Sequence, residues 1–503
     1  METVIEARWK RRPGARLHVA PEGMTLVDDH GAVVGSVGYD EVSGVTAGKD
    51  GRKSLLNIDL GAKGVWALDG LHALQARFAA ELIQEQLSAL HRRSLPLFVA
   101  PLPVGQIGAT AHSLLTTAPR GVVDMLDFLL TQAAHHGASD VHLEPFPHDL
   151  RVRYRIDGVL VDIMQVPILW MPRLMARLKI IANLAIYRAD VPQEGRTAVH
   201  LADRSIDIRV SLLPTLHGEK GVLRLFDPGR SLLHLGQLGM APGTRETWER
   251  LIQQPQGMLL LTGPSNHGKT TTMYASLAHL HEHRRDLSNL CTVEDPVEYD
   301  LRVVNQTQVN QAAGLTFAAG LRTVLRQDPE VIMIGEIRDE ETAGIAVRAG
   351  LTGHLILSTV HATSAAGVFA RLVDLGSEPF LVASAVTGVL AQRLIRKVCT
   401  ECRQPAASTQ QQRARLGIRD DEGGWVHGRG CEACGGTGYR GRTGVYQLLV
   451  VDDSVREAVV AGKTTGELER LGGVEDALRA DAVAKAAAGI TSLDEVTRVL
   501  GGL

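Results

Sequence analysis

Over the first seventy residues the apolar positions recur in brief strand-like runs: Arg16 to Ala20, Met24 to Val27, Val33 to Val37, Ser54 to Leu60 and Gly64 to Leu68. Turn-forming clusters, Asp28-Asp29-His30-Gly31 and Gly48-Lys49-Asp50-Gly51, break them. After Asp69-Gly70 the period lengthens, and Leu71, Leu74, Phe78, Leu82 and Leu90 fall on one helical face. The pattern predicts a small β-rich module with a closing helix over residues 1–95. Pro96, Pro101 and Pro103, with Gly105 and Gly108 nearby, predict a linker over 96–117.

A second module begins near Pro119. Val122 to His136 reads as a helix and stops at Gly137, the residue type expected just past a helix C-terminus. Strand-like runs at Val141 to Leu143, Arg151 to Ile156 and Val159 to Met164 follow, with Asp157-Gly158 as a tight hairpin turn. A helix from Met171 to Ala185 and strands at Thr197 to His200, Ile206 to Ser211 and Val222 to Phe226 complete an α+β unit over 118–228. From Gly257 strand and helix alternate, with strands at Met258 to Leu261, Asn289 to Val293, Val331 to Ile334 and Leu355 to Ser358. Such alternation implies a largely parallel sheet covered on both faces, an α/β core over 229–395. A cysteine-bearing subdomain over 396–447 and a helical part over 448–503 complete the division.

The run Leu259-Leu260-Leu261 leads into Thr262-Gly263-Pro264-Ser265-Asn266-His267-Gly268-Lys269-Thr270-Thr271-Thr272, which carries the spacing Gly-x-x-x-x-Gly-Lys-Thr. Glycines let backbone N–H groups turn inward around phosphate oxygens, Lys269 reaches the β- and γ-phosphates, and Thr270 offers a hydroxyl to Mg²⁺. A helix starting at Lys269 aims its dipole at the same anion. A strand before the loop and a helix-compatible stretch after it are the context a phosphate-binding loop requires.

Ligands of open α/β sheets collect at the carboxyl ends of strands, and here those ends are acidic. Glu294-Asp295-Pro296-Val297-Glu298 follows one strand, and Gly335-Glu336 ends the next. Gly335 stands where a usual phosphate-loop enzyme has a magnesium-holding aspartate, which moves that task to Glu336 and to Glu294, Asp295 or Glu298. His354 and His361 bracket the fourth strand. Cys399-Thr400-Glu401-Cys402 and Cys431-Glu432-Ala433-Cys434 form two Cys-x-x-Cys knuckles, the donor set of a structural tetrahedral Zn²⁺ site. Binding energy of about 10–16 kcal/mol, as in zinc-finger peptides, folds such a segment.

Composition narrows the partners. Lys and Arg number 53 against 56 Asp and Glu, and aromatics make up 4% of the 503 residues. A nucleic-acid translocase would need a basic stripe or an aromatic stacking platform, so no nucleic-acid partner is expected. No run approaches the roughly eighteen apolar residues of a membrane span, and the N-terminus lacks an apolar signal core, so the expected location is cytoplasmic, with membrane contact only through partners.

These motifs resemble those of the secretion ATPases, the family of the type II secretion ATPase and the type IV pilus assembly ATPase. Gly263 to Thr272, Thr292 to Tyr299, Gly335 to Asp339 and Thr352 to His361 are similar to its Walker A, Asp box, Walker B and His box, accompanied by Leu325 to Pro329. Ala138 to Pro145, Arg151 to Leu160, Pro192 to Arg196 and Gly430 to Leu448 extend the likeness from about residue 118 to the C-terminus. The resemblance implies a RecA-like phosphate-loop NTPase domain behind a PAS-like α+β domain, with ATP, Mg²⁺ and Zn²⁺. It implies a homo-hexameric ring at the inner membrane, working on secretion or pilus platform proteins. It places Glu294, Glu336, His361, Arg209 and Arg224 among the catalytic residues. Asp295, Glu298, His354, Arg322 and Arg326 join the loop residues on the nucleotide. Guanidinium groups suit the charge that builds on a transferring phosphoryl group. The cysteines favour the assembly or secretion branch. Secretion is the first reading and pilus extension the alternative, with a weakly hydrolysing regulatory paralogue behind both.

Two departures stand out. The family loop reads Gly-Pro-Thr-Gly-Ser-Gly-Lys-Thr, whereas Asn266 and His267 occupy its inner positions here. Asn tolerates left-handed backbone and keeps the cradle; His267 is expected to crowd the β-phosphate or add a donor, giving slow or partner-dependent turnover. The β-rich N-terminal module replaces the helical docking domain common in the family.

Overall fold

The computed structural model describes residues 3–9, 12–20, 23–28, 30, 32–37, 42, 44–50, 53–60, 65–71, 76, 79, 80, 83, 100–118, 120–201, 204–227, 233–284, 289–418 and 424–501. The chain divides into two compact units, Met1–Gly229 and Arg230–Leu503.

The first unit opens with seven antiparallel strands: β1 (Thr3–Trp9), β2 (Arg12–Ala20), β3 (Gly23–Val27), β4 (Val33–Val37), β5 (Gly44–Asp50), β6 (Lys53–Asp59) and β7 (Val65–Leu71), ordered β4-β3-β2-β1-β7-β6-β5. Alternate residues, among them Leu17, Leu26, Leu56 and Ile58, are buried on one face. Strands β1 and β5 were not among the expected runs. The cluster read as a turn from Gly48 to Gly51 is instead mostly strand, with Gly48 opposite Leu55 and Asp50 opposite Lys53. Leu71 belongs to β7 rather than to the closing helix. Ala76, Ala79 and Ile83 are buried in this core, while Leu74, Phe78, Leu82 and Leu90 lie outside the described residues.

The segment expected to be a linker contains a helix, Val104–Thr117. Val104, Ile107, Ala111 and Leu115 recur at helical spacing and are buried in the core of the α+β domain. Gly108, a linker signal in the sequence, has a packing role. A Cβ there would lie 2.3 Å from the Ile163 carbonyl oxygen, so only glycine lets the helix approach this closely.

The α+β domain carries the sheet β10-β9-β8-β13-β12-β11, built from β8 (Asp140–Pro145), β9 (Asp149–Ile156), β10 (Val159–Pro167), β11 (Gln193–His200), β12 (Ser205–Thr215) and β13 (Gly218–Phe226). Asp157 and Gly158 turn the β9–β10 hairpin with φ of 48° and 84°. Helices Gly121–His135 and Met171–Ile181 contribute to the core behind the sheet.

The second unit is organised on the sheet β16-β15-β17-β18-β14-β19-β22. Its strands are β14 (Gly257–Thr262), β15 (Leu290–Glu294), β16 (Asn305–Gln308), β17 (Val331–Ile334), β18 (Leu355–Thr359), β19 (Val386–Val398) and β22 (Tyr439–Val450). Every neighbouring pair is parallel except β19 with β22. Strands β14, β15, β17 and β18 are buried throughout, as strands covered on both faces must be. The short pair β20 (Arg403–Pro405) and β21 (Val426–Gly428) lies between β19 and β22. The tetracysteine segment is therefore an insertion between two strands of the main sheet. The boundaries drawn at 395 and 447 cut through β19 and β22.

Candidate functional site

Strand β14 delivers the chain into the phosphate loop and the helix Lys269–His283 takes it away. Gly263, Asn266 and Gly268 have φ of 146°, 63° and 82°, so Asn266 holds the left-handed conformation that a glycine would supply. Both glycines are needed because the loop lies against β19. A Cβ on Gly263 would stand 2.4 Å from the Gln392 carbonyl oxygen, and one on Gly268 2.9 Å from Gln392 Nε2. Pro264, Ser265 and Asn266 are exposed at the loop tip, and Thr270 and Thr271 are half-buried in the first helical turn. Lys269 Nζ donates to the carbonyl oxygens of Gly263 and Pro264 at 2.8 and 2.9 Å. Burial lowers its pKa, the Glu336 carboxylate opposes that shift, and Arg393 adds to it.

His267 does not turn toward the inside of the loop. Its Nδ1 accepts the Leu394 backbone N–H at 2.9 Å, and its carbonyl accepts Gln392 Nε2 at 2.8 Å. Burial, with Arg393, Lys269, Arg442 and Arg498 around it, lowers its pKa to about 4. The ring is a neutral imidazole with its proton on Nε2. Crowding of the β-phosphate has no support in this geometry.

Register decides which of the remaining residues share the loop's end of the sheet. Strand β14 runs parallel to β18 with Leu261 opposite Thr359, and β18 runs parallel to β17 with Ser358 opposite Ile334. Glu336 and His361 therefore follow their strands at the same end as the loop, and His361 Nε2 lies 3.5 Å from Glu336 Oε2. Arg338 pairs with the other Glu336 oxygen. Thr262 Oγ1 donates to the Ala362 carbonyl at 2.9 Å and accepts the Ala362 N–H at 3.0 Å, which fastens the segment after His361 to the loop's first residue. His354 is a correction to the expected site. It precedes β18, its carbonyl accepts the Gly257 N–H, and its ring faces the Ala349 carbonyl. It stands at the opposite end of the sheet, five strand residues or roughly 16 Å away at about 3.3 Å per residue.

Glu294 is buried, and its carboxylate is fully engaged. Oε1 accepts from Thr292 Oγ1 at 2.6 Å and Gln306 Nε2 at 3.0 Å, and Oε2 accepts from Tyr274. Burial and the Glu294 charge raise the Tyr274 pKa, which keeps the phenol a donor. Asp295 and Glu298 are exposed beyond the strand end.

The arginines fall in both units. Arg224 lies in the first unit and donates Nε to Asp140 Oδ1 at 3.0 Å. Arg209 stands opposite it on β12, 5.4 Å from the Phe226 ring centroid. In the second unit Arg322, on the helix Phe317–Val324, pairs with Glu341, and Arg326 is exposed.

The sulfurs of Cys399, Cys402, Cys431 and Cys434 lie within 4.8 Å of one another. The separations Cys399–Cys431, Cys402–Cys434 and Cys431–Cys434 are 3.8, 3.8 and 3.7 Å. Sulfurs at about 2.3 Å from a tetrahedral ion stand about 3.8 Å apart, so the cluster fits a metal held by four thiolates. Backbone N–H groups of Cys431 and Gly438 point at Cys434 Sγ at 3.2 Å and lower its pKa against burial, to about 7.

Sequence reasoning missed three residues around the loop. Gln392 bridges Thr272 Oγ1 and the His267 carbonyl, each at 2.8 Å. Buried Arg393 donates to the carbonyls of Gln392 and Thr363 at 3.0 and 2.8 Å. Tyr274 holds Glu294. Gln392 and Arg393 sit on β19, more than a hundred residues from the loop, and no local motif announces them.

Type II secretion system protein E of Dickeya dadantii is 46% identical over 379 residues, 75% of each chain. Type II secretion system ATPase E of Vibrio cholerae is 43% identical over 380 residues, again 75% of each. Among solved structures, the Legionella pneumophila ATPase DotB gives a TM-score of 0.56 at 19% identity, over 75% of this chain and 95% of its own, a likeness of fold alone. Residues 117–498 match the family model described as type II/IV secretion system protein. That match covers the α+β domain, the phosphate loop and the cysteine cluster together, and the chain belongs to this family.

Proposed function

We propose that the chain is the ATP-hydrolysing motor of a type II secretion system, acting as a homo-hexamer on partner proteins at the inner membrane. The observation that carries the reading is the parallel register that sets Lys269, Glu336 and His361 at one end of adjacent strands. Amides of the Gly263–Lys269 loop and the helix N-terminus bind the phosphates of ATP. Lys269 exchanges its two loop carbonyls for phosphate oxygens. Thr270 would hold Mg²⁺, which when bound would offset charge on the phosphates. Glu336, the acid electrostatically coupled to Lys269, orients the attacking water with His361 beside it. Glu294, with both oxygens engaged, acts as the fixed anchor of the neighbouring strand end. Arg209, Arg224 and Arg322 supply positive charge to the transferring phosphoryl group. Arg326 has no such role: it adjoins Gln327, whose carbonyl accepts from Asn289 just before β15, the same end of the sheet as His354. The four cysteines hold Zn²⁺ as a structural ion, since all four positions of a tetrahedral site are then filled by protein.

Purified protein is expected to hydrolyse ATP, with Lys269→Ala and Glu336→Gln each reducing kcat at least 100-fold. In cells the wild-type gene restores export of a folded substrate to a strain lacking its own copy, and Lys269→Ala does not. A wild type that neither binds nor hydrolyses ATP overturns the motor. Restoration of pilus extension without export reassigns the motor to pilus assembly.

A further inference from the structure

Strand β19 outruns its neighbour. Its pairing with β14 ends at Ala391 opposite Thr262, yet β19 continues to Val398. On the other side it pairs with β22 from Gly388 to Val398. Beyond Thr262 its amides facing the phosphate loop meet no strand among the described residues, and a backbone N–H buried without an acceptor is costly. Two side chains take over. Leu394 N donates to His267 Nδ1 at 2.9 Å, and Arg396 N donates to Glu495 Oε1 at 3.0 Å.

Resting on the motor reading above, we infer that His267 is a positioning residue, which completes the edge of β19 in place of a strand and thereby fixes the apex of the phosphate loop. Two bonds hold His267 itself, and a third ties β19 to the helix that follows. Gln392 Nε2 holds the His267 carbonyl, Gln392 Oε1 holds the Thr272 hydroxyl one turn into the helix, and the His267 ring holds β19 itself. The serine found here in related loops is one bond shorter than the reach to Nδ1 and leaves the Leu394 N–H without that acceptor. Burial, aided by the surrounding cations Arg393, Lys269, Arg442 and Arg498, keeps the imidazole neutral, and a neutral ring has the free Nδ1 lone pair that the bond requires. His267 thus orders the loop before nucleotide arrives, and a preorganised loop binds more tightly without new ligand contacts.

The test compares full-length wild type with His267→Leu, His267→Asn and His267→Ser, measuring affinity for a fluorescent ADP analogue, KM and kcat for ATP, and hydrogen exchange at the Leu394 amide. Asn places Oδ1 where histidine has Nδ1, so it is the conservative variant. His267→Leu is expected to weaken ADP binding and raise KM about tenfold, with kcat within about twofold, and to expose the Leu394 amide to exchange. His267→Asn is expected to stay within about twofold of wild type in all readouts, and His267→Ser to fall between. Equal effects of Leu and Asn, or a Leu394 amide that exchanges equally in all four proteins, overturn the inference. A wild type that binds no adenine nucleotide overturns the motor instead, and the exchange measurement still decides the role of His267.

Discussion

At the scale of single residues, charge near the loop is set by burial and by who holds each proton. Glu294 sits in a buried site where Thr292, Gln306 and Tyr274 all donate to its carboxyl group. Tyr274→Phe removes one donor to a buried carboxylate, a loss of about 1.5–3 kcal/mol, to be read as a lower urea midpoint at unchanged m-value. His267 gives a pH signature. Unfolded, the imidazole takes up a proton near its ordinary 6.5; folded, it does so only near 4. Between those values the unfolded chain binds more protons, so stability present above pH 6.5 is lost as the pH falls toward 4. Lys269, Arg393, Arg442 and Arg498, the cations around the ring, do not titrate in that window. Urea unfolding at pH 7.5 and 5 is expected to show a larger loss for wild type than for His267→Asn.

At the scale of elements, the difference between what the sequence shows and what it hides is the difference between local and distant neighbours. The phosphate loop and the cysteine pairs are legible because their chemistry lies within a few consecutive residues. Gln392 and Arg393 are not, because their importance comes from the strand order that lays β19 beside β14. His354 was misread for the same reason: a histidine at each end of a strand looks symmetric in sequence, but a buried parallel strand separates its ends by its full length. Gly108 reads as a linker signal because a glycine required for close approach looks the same in sequence as one in a linker. Replacing it tests the distinction. Gly108→Val drives a side chain into the Ile163 carbonyl and is expected to cost at least about 1–3 kcal/mol, whereas Gly105→Ala, with nothing within 4 Å of its Cβ, is expected to be neutral or slightly stabilising. Thermal melting of the two variants checks this.

At the scale of the whole molecule, the cysteine cluster and the nucleotide loop share one strand. Strand β19 carries Gln392 and Leu394 against the loop and runs directly into Cys399. Buried Glu495 grips it between them, accepting from Arg396 N and Nε at 3.0 Å, and also pairs with Arg498. Elemental analysis is expected to find one zinc per chain, and Cys402→Ser or a strong chelator to remove it with a lowered melting temperature. The insertion also bears on how the protein reaches its native state. Forty residues separate the end of β19 at Val398 from the start of β22 at Tyr439, and these two strands pair along most of their length. Bringing such distant segments together costs loop-closure entropy before any pairing rewards it. An ion captured early by both knuckles would turn the long closure into a hairpin between tethered strands, and a metal held there would act as a kinetic clip. Refolding from urea, followed by stopped-flow fluorescence, is expected to be faster with zinc present than with chelator, and the advantage to disappear in Cys402→Ser.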